Sequence, residues 1–210
     1  MAGTSDILMM LIKKGSSSGM PAEGQTMLNR ADNMLTLPGK PVFKHGEFFE
    51  LESFSLSHSS PPHDATTDGK NITVKVEGGD KKGGHGGGGG GKLSRDTKWL
   101  PGHLQQVTCV RQLDLASSEL FAQVGKDAAF ASAAIIRRKI VGGLPSADGN
   151  LMGYFRLDFT TVTIVDVNWT ADEDGVKETL QFVCQAAEVV YRQQSHTGEM
   201  AKIFPPGKWP

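Results

Sequence analysis

The sequence predicts a mainly β fold with one short α-helix and a long Gly-rich loop insertion. Three observations carry this. Apolar residues recur at every second position through most of the long apolar stretches, the period of a half-buried strand. One stretch alone, Leu120, Phe121 and Val124, has apolar residues at helical spacing. Between Gly78 and Gly91 lies a run that accounts for much of the excess among the chain's 26 glycines and cannot hold a fixed backbone without outside contacts.

The 210 residues suit one domain spanning 1–210, with a loop insertion at 59–101 and a flexible tail at 193–210. A net charge of -1 does not suggest nucleic acid bound by bulk charge. No run approaches the length of a membrane span, so no membrane insertion is expected. Ile7 to Ile12 is too short for a secretory signal core and follows Asp6 instead of a basic segment, so no signal peptide is expected.

In chain order, Ile7 to Lys14 reads as a strand apolar on both faces and so covered on both. Gly15 to Leu37 reads as a connection, with Gly39 and Pro41 as turn punctuation. Glu47 to His58 reads as a second strand. Phe49 and Leu51 lie in one phase, Phe54 and Leu56 in the other, which places a β-bulge near Glu52 or Ser53. Ser59 to Pro101 reads as a long exposed loop, with a small hairpin arm through Ile72, Val74 and Val76.

The organising stretch is Val107 to Val141. Val107, Cys109 and Leu113 share one face of a strand, and Asp114 breaks the pattern. Ser117 or Ser118 offers a helix N-cap, and Gly125 stands where a left-handed cap falls. Phe121 is expected to be buried beneath this helix. Phe130, Ala134, Ile136 and Ile140 then return to a period of two. After a turn through Gly142, Gly143, Pro145 and Gly149, Tyr154 to Trp169 forms a long strand with Leu157, Phe159, Val165, Val167 and Trp169 in one phase. Val162 and Ile164 lie opposite. The loop Thr170 to Gly175 leads to Glu178 to Arg192, with Leu180, Phe182, Cys184 and Ala186 on one face.

Several motif-like features fail on their chemistry. Gly86 to Lys92 imitates a phosphate-binding loop, but Leu93 stands where Ser or Thr must bind magnesium, and no strand-then-helix context surrounds it. Asp172, Glu173, Asp174 and Gly175 suggest part of a calcium loop, but Thr170 and Gln181 stand where acids are needed. The segment reads instead as a solvated hairpin tip. His45, His58, His63, His85, His103 and His196 have no zinc-site spacing, although His58 and His63 flank the base of the loop. Cys109 and Cys184 sit inside apolar strand patterns and read as buried free thiols of a reducing compartment. Neither has a nucleophile turn. The glycosylation sequons at Asn71 and Asn168 read as chance. Arg137, Arg138 and Lys139 read as a solvated or interface patch. No catalytic, cofactor-binding or metal residue is therefore assigned, and no cofactor is expected.

The segment VRQLDLASSELFAQVGKDAAFASAAIIRRKIV (110–141) resembles the haemolysin-coregulated protein (Hcp) family, the tube proteins of type VI secretion systems. So does the hairpin YFRLDFTTVTIVDVNWTADEDGVKETLQFVCQAAEVVYRQQ (154–194), with its acidic loop, the Glu that opens its last strand and the Tyr near its end. ILMMLIKK and ELESFSLSHSS fit the family's first two strands, and together the pieces cover roughly two thirds of the chain. The sequence departs from the family at Ser118, where proline is common, and in the length of Ser59–Pro101 and Gly15–Lys44.

The resemblance implies a small β-barrel of two packed sheets with one helix, six copies of which form a homohexameric ring, with stacked rings forming a tube. Its implied partners are contractile sheath proteins, a spike protein of the valine-glycine repeat type, a baseplate, and small effectors in the lumen. The protein would assemble in the bacterial cytoplasm and be secreted through the apparatus, with no enzymatic activity. Alternatives are a tube protein of a related contractile injection system or phage tail, a tube protein whose loop or tail carries an effector activity, and a monomeric β-barrel binding module.

Overall fold

The computed structural model describes residues 6–29, 31–58, 105–126, 129–140, 151–173, 175–194, 200–203 and 207–209. The chain divides into two units, Met1–Ser57 with Gln105–Pro210, and His58–Leu104. Every element below belongs to the first, except His58 at the end of one strand. The glycine run, the hairpin arm at Ile72 to Val76, and His63, His85, His103 and His196 lie outside the described residues.

The elements are β1 (Ile7–Lys13), β2 (Phe49–Glu50), β3 (Ser53–His58), β4 (Gln105–Gln112), α1 (Ser117–Gln123), β5 (Phe130–Ile140), β6 (Leu151–Asp172), β7 (Gly175–Gln194), β8 (Met200–Ile203) and β9 (Gly207–Trp209). The strands form one sheet in the order β2-β1-β5-β6-β7-β4-β3, with β8 and β9 paired to β7. The tail, read from its composition as flexible, thus contributes two strands.

The first and last strands in this order, β2 and β3, are one bent segment. At the bend, Leu51 N–H donates to Ile7 O of β1 (2.9 Å) and Glu52 N–H to Val110 O of β4 (2.8 Å). One chain segment therefore joins both ends of the sheet and closes it into a barrel, through the break anticipated near Glu52. The two layers implied by the resemblance are opposite walls of this sheet.

The barrel core holds Met9, Leu11, Val107, Cys109, Ile135, Phe159 and Phe182, among others. Three adjacent strands change face along one line. Ala133, Phe159 and Ala187 are in register and face the core, as do Phe130, Val162 and Cys184 three positions away. Regular alternation separates same-face residues by even numbers, so each strand carries an irregularity between its two core residues. In β6 this falls at Thr161, whose φ is 52°. A second register shift lies between Ile164 and Asp166.

These shifts overturn several phases read from the sequence. Val162 and Ile164 sit in the core with Leu157 and Phe159, and Phe155 and Val167 pack against the same side, while Val165 and Trp169 are exposed. On β7 the core face passes from Cys184 to Ala187, not to Ala186. Ile140 is exposed at the end of β5. Leu113 lies beyond β4 and is exposed, and Arg111 takes the buried position after Cys109.

The outer face of β1 and β5 is also covered, as the apolar run of β1 requires. Leu8, Met10, Ile12, Ala134 and Ile136 pack against Leu35, Phe43 and Phe48. The segment 15–44, of which Gly15 to Leu37 reads from the sequence as a connection, is thus a strap that supplies the second cover. Over β6 and β7 the strap binds polar groups. Asp32 accepts Gly153 N–H (2.6 Å) and pairs with Arg192 (3.3 Å). The guanidinium of Arg156 chelates Asp158 and donates to the Met34 and Pro41 carbonyls. The Arg137–Lys139 cluster is not a uniform patch. Arg138 is buried and donates to Met27 O, Arg137 lies 3.8 Å from Asp6, and Lys139 sits over the Tyr154 ring.

Candidate functional site

The helix is set by a buried polar knot. Arg111 Nε donates to Glu178 Oε1 (2.7 Å), and its Nη2 donates to Ser117 Oγ (2.8 Å). Its Nη1 pairs with Asp114 Oδ1 (2.7 Å), and the guanidinium lies over the Phe49 ring at 4.5 Å. Asp114 Oδ1 also accepts Ala116 N–H (2.8 Å), and Ser117 Oγ accepts Asp114 N–H (3.1 Å). These local bonds form the turn that starts α1.

The cap differs from the sequence expectation. Ala116 occupies the N-cap position without a side-chain bond, because the Ser117 hydroxyl is turned to Arg111 and Asp114. At the other end Gly125 has φ 75°, the left-handed conformation anticipated for it.

Leu120 points into the core and is fully buried, whereas Phe121 is 57% exposed. Burial of Phe121 under the helix is therefore corrected: the inward position belongs to its neighbour. Phe121 instead packs on Trp169 of β6, with ring centroids 5.3 Å apart. Trp169 Nε1–H donates to Glu178 Oε2 (2.9 Å), so the carboxylate that holds Arg111 also orients this indole.

Around this pair the surface is apolar. Leu113, Leu115, Phe121, Val124, Val165, Trp169 and Val176 are all exposed large hydrophobic residues. Leu113 N–H bonds Val176 O, and Gly125 N–H bonds Ile164 O beside Val165, which ties the helix and its flanks to the β6–β7 hairpin. Exposed apolar residues gathered in one area mark an interaction surface. Asp166, Asp172 and Glu173 are exposed along the hairpin toward its tip. Sequence periodicity missed this surface because it placed Val165 and Trp169 in one phase with Leu157 and Phe159, and Phe121 was expected beneath the helix.

Beside it, at the barrel seam, is an open cleft of about 550 Å³ lined by Asp6, Glu23, Phe49, Leu51, Glu52 and Leu113 among others. Three of its carboxylates are engaged within the chain. Glu50 accepts Gln25 and Thr26 N–H, Glu52 accepts from Gln112, and Asp114 serves Arg111. Among the described residues, no three His, Cys, Asp or Glu side chains converge as metal ligands. His45 is exposed and lies against the Phe48 ring. Cys109 and Cys184 are free and buried, and burial pushes both thiols from 9.0 up to about 12, against a smaller opposing pull from Arg111 on Cys109.

No protein-family model matches the sequence, and no curated protein matches it. Solved structures do match. A type six secretion system protein is 14% identical with a TM-score of 0.57, covering 98% of this chain and 94% of that one. A mutant of the Hcp1 protein from E. coli EAEC 042 is 12% identical with a TM-score of 0.52, covering 93% and 96%. The chain has the Hcp fold. The secreted protein Hcp3 from Pseudomonas aeruginosa, 12% identical with a TM-score of 0.50, covers 98% of this chain and 99% of that one. The Hcp fold thus spans nearly the whole length of both partners in each comparison, at identities that speak for architecture alone.

Proposed function

We propose that this chain is a structural subunit of the inner tube of a type VI secretion system. It assembles as hexameric rings that stack inside a contractile sheath and are expelled with the spike, with small effectors carried in the lumen. The observation that carries the reading is the Hcp fold over nearly the full chain, joined to a large exposed apolar face on α1 and the β6–β7 hairpin. A lone barrel gains nothing from seven exposed large apolar side chains in one area, whereas a ring buries them. The role is mechanical and needs no catalytic residue, cofactor or metal. The protein assembles in the bacterial cytoplasm and leaves through the apparatus.

Light scattering on the purified protein, with negative-stain imaging of the same peak, tests this. The expected result is a mass near six subunits and ring-shaped particles. A monomer at all concentrations, with no rings on sheath or spike co-expression, overturns the tube reading in favour of a binding module.

A further inference from the structure

The strap crosses two buried arginines on neighbouring strands, Arg156 of β6 and Arg192 of β7. A guanidinium carries Nε–H and an Nη2–H side by side along one edge, a fork that matches the two oxygens of a carboxylate or phosphate. In Arg156 this edge is filled. Nε lies 3.0 Å from both Asp158 oxygens, and Nη2 lies 2.7 Å from Oδ1. In Arg192 the same edge is unmatched. Its Nη1 reaches Asp32 Oδ1 at 3.3 Å, longer than the about 2.8 Å usual between charged partners. Its Nε and Nη2 are buried, and neither has a hydrogen-bond partner.

Asp32 does not make up the difference. Its Oδ2 accepts Gly153 N–H (2.6 Å), and its Oδ1 also accepts Met34 N–H (3.1 Å). One carboxylate is thus divided among two backbone donors and one corner of the guanidinium. A buried lysine could shed its proton, but an arginine stays charged. A buried cation with open donors is costly, and an anion that takes those donors removes the cost.

We infer that the Nε–Nη2 edge of Arg192 binds a small oxyanion, inorganic phosphate or a free carboxylate, beneath the strap. Two oxygens of the ion accept Nε–H and Nη2–H, as the Asp158 oxygens do on Arg156. The charge selects an anion, and the fork selects paired oxygens over a single-point ion such as chloride. Because Arg192 is only 2% exposed, the ion enters when the strap lifts and holds the strap down once bound. The site does not depend on the assembly reading above.

Thermal melting of the full chain tests it, in a zwitterionic buffer with chloride holding the ionic strength constant. Beyond saturation, phosphate is expected to raise the melting temperature by an equal step for each tenfold increase in concentration. Acetate is the second arm: a rise with phosphate alone makes the ion a phosphate, and a rise with acetate makes it a carboxylate. Arg192→Lys keeps the charge without the fork and is expected to lose the step. Arg137→Gln, at a half-exposed arginine, is expected to keep it. In the wild type, the Arg192 Nε–H resonance reads the contact with no substitution, and it decides the matter if Arg192→Lys does not fold. It is expected to shift, and to exchange with solvent more slowly, when the ion binds. No rise beyond chloride with either anion, a rise that survives in folded Arg192→Lys, or an unmoved Nε–H resonance overturns the site.

Discussion

Arg111 Nε lies 2.7 Å from Glu178 Oε1, and both side chains are buried. The bond joins β4 to β7 across 67 residues of sequence. It also fixes the two aromatic residues of the exposed face, since Arg111 anchors the turn into α1 and Glu178 holds the Trp169 indole. Removing the carboxylate leaves the buried guanidinium with one counter-charge, Asp114, in place of two. Glu178→Ala is expected to cost about 3–5 kcal/mol. A urea melt that shows a loss below about 1 kcal/mol contradicts this account of the knot.

Leu120 and Phe121 are neighbours with opposite roles. Leu120→Ala opens a core cavity and is expected to cost about 2–5 kcal/mol in subunit stability. Phe121→Ala removes an exposed ring and its Trp169 contact, so it is expected to cost no more than about 1.5 kcal/mol. It should nevertheless lower the mass of the assembly in light scattering. Equal losses of stability from the two changes would place Phe121 in the core after all.

Gly153 lies where the strap crosses β6. A Cβ built there falls 2.8 Å from Met34 Cβ and 3.1 Å from Ile136 Cγ2. Gly153→Ala is expected to push the strap outward and cost about 1–3 kcal/mol. Faster proteolysis between Gly15 and Lys44 should accompany the lower melting temperature, and an unaltered cleavage pattern would argue against a seated strap.

Burial holds the thiols of Cys109 and Cys184 neutral, with values raised to about 12. Because the folded values lie above the unfolded ones, their contribution is complete below about pH 9. It is lost as pH rises toward 12, where the unfolded chain ionises first. Stability is therefore expected to fall across that window, and Cys109→Ala with Cys184→Ala should flatten the fall. At pH 8, iodoacetamide should label neither thiol until denaturant is added. Rapid labelling of the native protein would show that the two strands open.

Much of the fold was legible because it is local. The run Ile7–Ile12 is apolar at every position, and a strand with no polar face must be covered twice, as the barrel core and the strap do. The slip between Leu51 and Phe54 marked the bend that closes the barrel. Gly125 marked the helix end. The free cysteines followed from their apolar setting.

The candidate face was not legible. Its residues look like core by period, and period cannot count the irregularities that turn a strand over. The line through Phe130, Val162 and Cys184 arises because three paired strands must bend together, and no one strand's sequence records its neighbours' register.

By itself, then, the sequence determined the kinds of element and their order, since alternation and helical spacing are properties of a few adjacent side chains. The tertiary structure decided which side of each strand is inside. It also decided whether Leu120 or Phe121 faces the core, and that Arg111 and Glu178 meet. Those outcomes depend on register and on contacts between residues far apart in the chain, where burial of a charge is tolerated only if its partner arrives from another strand.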